Sequence, residues 1–342
     1  MTEDRRVWLV VTGSYSDYQV ECAAGSEADG EQIAATINAF GRGYEDARVV
    51  SVPLVTPPVA GPHAACQRRT APRGGDGMIR SVSYGGGVQS TALLVLAAQR
   101  RIDYPLFLFA NVGDDSENPA TLAYVRDVAM PYAAEHGIEL VELRRVLRGG
   151  GERTLLQEIE QGDRSIPIPA RMGAGGFGRK KCTDRFKITV VRRELRRRGA
   201  TAADPAMVAI GISVDEIERA GAGEGVDERD PSRLRAYPLL DLGLSRQDCR
   251  RVIAEAGLPV PPKSSCSFCP LHDRETWRRQ RSESPDLWER SVYVDGLIRE
   301  RAVRIGRGPM GLVSPTVPIA DAVEDQLTLF GGDGCESGWC MT

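Results

Sequence analysis

The sequence predicts an α/β protein built on a parallel sheet with helices on both faces, preceded by a small ββαβ module. Three observations carry this reading. Beyond residue 77, apolar runs at 79–83, 106–110, 138–143 and 207–211 alternate with amphipathic stretches long enough to be crossover helices. The first run leads through Gly85, Gly86 and Gly87 into an apolar helix expected over 88–98. Residues 56–77, TPPVAGPHAACQRRTAPRGGDG, have no periodicity and are rich in Pro, Gly and Ala, the composition of a tether between folded units.

In chain order, the N-terminal module (1–55) should form strands near 7–11 and 18–21, a helix near 28–40 and a strand near 48–54. It carries no chemical constellation: Tyr15, Asp17 and Tyr18 read as turn residues, and an accessory role is expected. The linker 56–77 follows, then the large domain over 78–305 and a C-terminal extension over 306–342. At 342 residues, 42% hydrophobic and 27% charged, the chain is long enough for one large domain and a small one. No apolar run approaches the roughly 18 residues of a membrane span, and MTEDRRVW lacks a signal-peptide profile. A cytoplasmic protein with no membrane partner is the expectation.

The glycine turn is a phosphate-binding candidate. Three glycines let the backbone turn sharply, so that N–H groups at the positive end of the next helix can point at an anion, with Ser83, Ser90 and Thr91 adding hydroxyls. A side chain at Gly86 or Gly87 should obstruct that approach. The Walker A ending Gly-Lys-Ser/Thr is absent, and Val-Gln-Ser after Gly87 breaks the dinucleotide fingerprint GxGxxG. Ligands of parallel sheets collect at the carboxyl ends of the strands. The loops 84–90, 111–117 and 212–219 should therefore meet around one nucleotide, with Asn111 and Asp114 toward the adenosine and Gly211, Asp215 and Arg219 on the third loop.

The segment SYGGGVQST resembles the PP-loop of the ATP pyrophosphatases (adenine nucleotide α-hydrolase superfamily), whose usual form is S-G-G-x-D-S. Gly85 stands where the family has serine and Gln89 where it has aspartate, so nucleotide binding is better supported than catalysis. GISVDEIER from Gly211, KKCTDRFKITVVRREL from Lys180, RAYPLLDLG from Arg235 and SSCSFCPLHDRETWRRQR from Ser264 narrow the resemblance to the phosphoadenosine phosphosulfate (PAPS) reductase-like proteins, over residues 79 to 300. The resemblance implies a PP-loop fold that binds ATP, APS or PAPS.

Eight cysteines in a cytosolic chain suggest metal or redox chemistry more than structural disulfides. Cys22, Cys66 and Cys249 read as packing or incidental residues. Cys266 and Cys269, two residues apart in a proline-constrained loop, can converge on one centre, and Cys182 in Lys-Lys-Cys-Thr can supply a third thiolate. In the resembling APS reductases a Cys-Cys pair at the position of Cys182 joins a CxxC to hold a [4Fe–4S] cluster. Here Thr183 replaces the second cysteine, and related tRNA-thiolating enzymes use three. Zinc on four thiolates, or no metal, are the alternatives. The tail cysteines Cys335 and Cys340 could act as a redox pair, a persulfide carrier or a fourth ligand, or lie in an inert terminus; they lack the Glu-Cys-Gly context of family nucleophiles.

Net charge is −3, yet residues 171–200 hold eleven Lys or Arg against two Asp or Glu, and arginines recur over 274–307. Such a face suits polyphosphate or nucleic acid; a solvated helix surface is the plain alternative. The leading expectation is an enzyme that cleaves ATP at the α-phosphate and couples this adenylylation to sulfur transfer onto tRNA or DNA. Lys187 or neighbouring basic residues and Mg²⁺ would neutralise charge, and a sulfur-donor protein would be a partner. The alternatives are an APS/PAPS reductase that releases sulfite through Cys335 or Cys340, and a regulatory nucleotide-binding protein without chemistry.

Overall fold

The computed structural model describes residues 6–12, 19–24, 31, 48–53, 77–162, 165–173, 175–220, 225–227 and 230–323. The chain divides into two compact units, Met1–Thr70 and Ala71–Thr342, with the division inside the expected linker.

In the first unit, β1 (Arg6–Thr12), β2 (Gln19–Ala24) and β3 (Arg48–Pro53) form an antiparallel sheet in the order β2-β1-β3. Its three strands match the expected ββαβ pattern; the expected helix, Glu31 aside, and Tyr15, Asp17, Tyr18 and Cys66 lie outside the described residues.

The second unit is α/β. Its main sheet runs β6 (Glu139–Arg144), β5 (Leu106–Asn111), β4 (Arg80–Tyr84), β8 (Ala206–Ile210), β10 (Asp230–Ala236), β9 (Gly225–Asp227). The first five strands are mutually parallel, and β9 closes the edge antiparallel to β10. The continuous apolar runs follow from burial on both faces. In β5, Phe107 and Phe109 pack with helices Val88–Ala98 and Arg246–Glu255, while Leu106, Leu108 and Ala110 pack with helix Thr189–Arg197 on the other side. In β8, Met207 and Ala209 join the first group and Ala206 and Val208 the second. The chain proceeds from β4 through β5 to β6 in one direction, then returns to lay β8 and β10 on the other side of β4. The order reverses between β4 and β8, the switch point where the strand ends leave a crevice.

A second core, centred on Phe186, Phe268, Trp277 and Leu155, joins helices Leu155–Gln161, Arg274–Glu283 and Pro285–Arg304. The chain beyond residue 305 belongs to it: Met310 and Leu312, near the two-stranded ladder of β7 (Arg171–Met172) with β11 (Met310–Gly311), are buried there with Ile319 and Val323. Asp295 clamps this segment, accepting from the backbone N–H groups of Leu312 (2.7 Å) and Ile319 (3.1 Å) while paired with Arg299 (2.7 Å). Only residues 324–342 of the expected extension lie outside the described residues. Among the described residues, no helix is long and apolar enough to cross a membrane.

Candidate functional site

The three glycines have different physical constraints. Gly86 has φ +74°, and a Cβ there would lie 2.8 Å from Thr121 Cγ2 and 3.1 Å from Val125 Cγ2. Backbone conformation and close helix packing therefore constrain this position. Gly87 is extended, and its Cβ would make an ordinary 3.4 Å contact with Ser264. Gly85 is buried, and its carbonyl accepts a hydrogen bond from the Ser264 hydroxyl.

A small cavity of about 60 Å³ sits at the start of helix Val88–Ala98. Gly85, Gly87, Gln89 and Ser90 form one wall, Gly211 another, and Arg219, Arg246 and Lys263 bring positive charge; among the described residues no carboxylate lines it. The helix has no acidic residue in its first turn, and its first N–H groups have no intrahelical acceptor. N–H groups and cations arranged in this way suit an anion. Gly211 allows the close approach of β8, since a Cβ there would lie 3.2 Å from Gln89 and Ser90 backbone atoms. The Gln89 Nε2 is buried at this cavity and makes no hydrogen bond among the described residues.

Two hydroxyls have structural partners instead. Ser90 Oγ donates to the Gly87 carbonyl at 3.0 Å. Thr91 is fully buried with its hydroxyl 3.0 Å from the Tyr84 hydroxyl, bracing strand against helix.

Ser83, Gly85 and Arg219 are shared with a second cavity of about 380 Å³, a volume within the roughly 300–1,000 Å³ of small-molecule sites. Its walls combine Phe109, Val191, Val208 and Ile210 with Asp184, Lys187, Arg233 and Arg235. Asn111 and Asp114 line neither cavity. Asn111 Nδ2 donates to Asp114 and Glu142 at 2.7 Å each, and Arg126 and Arg144 pair with both carboxylates. Burial works against ionisation of Asp114, yet hydrogen bonds from Arg126, Asn111 and Arg144 hold its carboxyl below the usual range. Asp215 likewise lines neither cavity; its Oδ1 accepts from the Arg246 N–H at 2.8 Å and fixes the start of helix Arg246–Glu255. Arg219 pairs with Glu216, and both are about 5% exposed.

The structure gathers the three internal cysteines. Cys182, Cys266 and Cys269 line one cavity of about 20 Å³ with Lys180, Lys187 and Phe268. The CxxC loop is zipped onto the loop after β5: Asn118 N–H donates to Ser265 (3.1 Å), Ser267 N–H donates to Ser116 (2.9 Å), and Glu117 bridges Cys266. Among the described residues no group of three or more His, Cys, Asp or Glu side chains is gathered as a single metal ion would need. Lys187 lines both this cavity and the 380 Å³ one. Cys249 is fully buried in the first core, and burial pushes its thiol up to about 12, in keeping with a packing residue. Cys335 and Cys340 lie outside the described residues.

Three functional candidates escaped the sequence reading. Glu117 is buried, its carboxylate oxygens make no hydrogen bond among the described residues, and burial pushes its carboxyl up against the pull of Lys187. Only its place on the post-strand loop could have flagged it. Lys263 has no local pattern beyond lying just before Ser264. Arg246 had a signal: a cation in the first turn of a helix opposes the helix dipole.

Part of the expected basic face is paired within the fold. Arg185 pairs with Glu158 (3.0 Å), Arg196 with Asp230 (3.1 Å), Arg197 with Glu194 (2.7 Å) and Arg198 with Glu139 (2.6 Å).

His272, beside the CxxC loop, is buried with Nε2 2.8 Å from the Ser265 hydroxyl and its ring 4.8 Å from that of Trp277. Burial, aided by Lys263, pulls its pKa from 6.5 to about 4, so it folds as the neutral imidazole. The unfolded chain binds this proton near pH 6.5 and the folded one only near 4, so stability falls as pH drops through that window. The loss should reach about 3 kcal/mol and be flattened in His272→Gln, read from urea midpoints between pH 7 and 4; equal slopes for both proteins would refute it.

Searches against protein-family models, curated proteins and solved structures found no match.

Proposed function

We propose that this chain binds ATP, cleaves it at the α-phosphate to adenylylate an acceptor, and couples that step to sulfur transfer onto nucleic acid. One observation carries the reading: the cavity at the start of helix Val88–Ala98 shares Ser83, Gly85 and Arg219 with a cavity of about 380 Å³, and Lys187 of the latter also lines the cysteine cavity. The resemblance to PP-loop and PAPS-reductase-like proteins agrees with it.

In this reading the triphosphate lies against the first turn of helix Val88–Ala98. An oxygen of the acceptor attacks the α-phosphorus, the bond to the β-phosphate oxygen breaks, and pyrophosphate leaves with its charge held by Arg219, Arg246 and Lys263. Lys187 steadies the adenylylated acceptor from the neighbouring cavity. A sulfur nucleophile, supplied by a donor protein, then displaces AMP from the cysteine side. Among the described residues no carboxylate lines the anion cavity, so a Mg²⁺ ion there would be held chiefly through the phosphates.

The donor set at the second centre is three thiols with two lysines, soft ligands beside charges that favour thiolates. By ligand type it suits an iron–sulfur cluster. Cys182, Cys266 and Cys269 would hold that group, and bound there it would supply a site for labile sulfur.

The test is anaerobic incubation with ATP and bulk tRNA or DNA. Pyrophosphate should appear, with an equal amount of AMP once sulfide is added as the sulfur donor, and Lys187→Ala should abolish turnover while ATP affinity stays within a few-fold. Intact ATP, with sulfite released from APS or PAPS plus a dithiol, would replace this reading by sulfonucleotide reduction.

A further inference from the structure

The anion cavity has a wider neighbour. A cleft of about 730 Å³ shares Val88, Arg246 and Lys263 with it and runs outward between helices Arg246–Glu255 and Arg274–Glu283. Four cations line the cleft, Arg246, Arg250, Lys263 and Arg279, against two carboxylates. One of these, Asp273, is engaged: it caps its helix through the Thr276 N–H at 2.6 Å and pairs with Lys263 at 3.6 Å. Arg250 and Arg279 are exposed and form no ion pair among the described residues.

We infer that this cleft seats the sugar–phosphate backbone of a single nucleic-acid strand, the acceptor of the proposed reaction, on which this inference rests. Positive charge that leads directly into an anion cavity brings a second polyanion alongside the first. Arg250 and Arg279 can meet a phosphate without giving up a carboxylate, whereas Arg185, Arg196, Arg197 and Arg198 each already hold one.

The test measures anisotropy of a fluorescein-labelled 15-nucleotide single strand, as RNA and as DNA, over a salt series, with ATP affinity measured by calorimetry on the same proteins. Arg250→Ala/Arg279→Ala should weaken binding of the strand about tenfold or more and flatten the salt slope by about 1.4, two phosphate contacts' worth, with ATP affinity unchanged. Arg193→Ala/Arg197→Ala should leave the strand's affinity unchanged. The cleft assignment is overturned if the wild-type protein binds neither strand, if the first variant binds like wild type, if the second loses as much, or if a duplex of the same sequence binds as tightly. If strand binding behaves as expected but no pyrophosphate is released, the cleft stands and the adenylylation reading fails. If pyrophosphate is released and the first variant binds normally, the reverse holds.

Discussion

Replacing Gly86 by alanine is expected to destabilise the second unit by roughly 2–5 kcal/mol and to remove nucleotide binding with it. Two costs add: about 1–2 kcal/mol for holding an L-residue at left-handed φ, and about 1–3 kcal/mol for forcing a methyl group to within 2.8 Å of Thr121 Cγ2. The strain falls where β4 turns into its helix, beneath the anion cavity. A urea midpoint shifted down at constant slope would record it. Gly87→Ala is the contrast, because its Cβ fits against Ser264 and its backbone is extended. That variant should keep the wild-type midpoint and lose ATP affinity in calorimetry. If Gly86→Ala melted like wild type, the packing account of this loop would be wrong.

The second large effect concerns the cysteine cavity. Protein purified without oxygen should be brown, with absorbance near roughly 400 nm from thiolate-ligated iron. Cys182→Ser, Cys266→Ser and Cys269→Ser should each bleach it, since all three thiols face one cavity and loss of one leaves two. Cys249→Ser should keep the colour and cost stability by about 1–3 kcal/mol, because it places a hydroxyl in the first core. A colourless wild-type protein with stoichiometric zinc would turn the cavity into a structural site.

What the sequence revealed, and what it hid, follows from where each signal resides. The four parallel strands 79–83, 106–110, 138–143 and 207–211 were legible, 106–110 and 207–211 because burial on both faces writes a continuous apolar run. Strand β10 was not, although it lies beside β8. Its buried Asp230 meets Arg196, Arg192 and Arg233, so it is inside through charge pairing and leaves no hydrophobic pattern. Asn111 and Asp114 illustrate the converse. Their type and place suit a ligand, yet Arg126, Glu142 and Arg144 arrive from other elements and engage them, and nothing local announces those partners. The glycine loop and the cysteine spacing were readable because each is local, whereas the convergence of Arg219, Arg246 and Lys263 depends on three separate segments of the chain.

Lys187 rides on a π-helical turn, Thr183–Ile188, that runs directly into helix Thr189–Arg197. On the N-terminal side Cys182 and Thr183 line the cysteine cavity, and on the C-terminal side Ile188, Val191 and Arg192 line the larger one. A regular α-helix advances about 100° per residue, so the widened turn acts as a phase shifter that lets one continuous segment address two chambers. Deleting a single residue there would restore the ordinary helical phase and swing one set of side chains off its chamber. The chain length of that turn is therefore as much a part of the site as the chemistry of its residues.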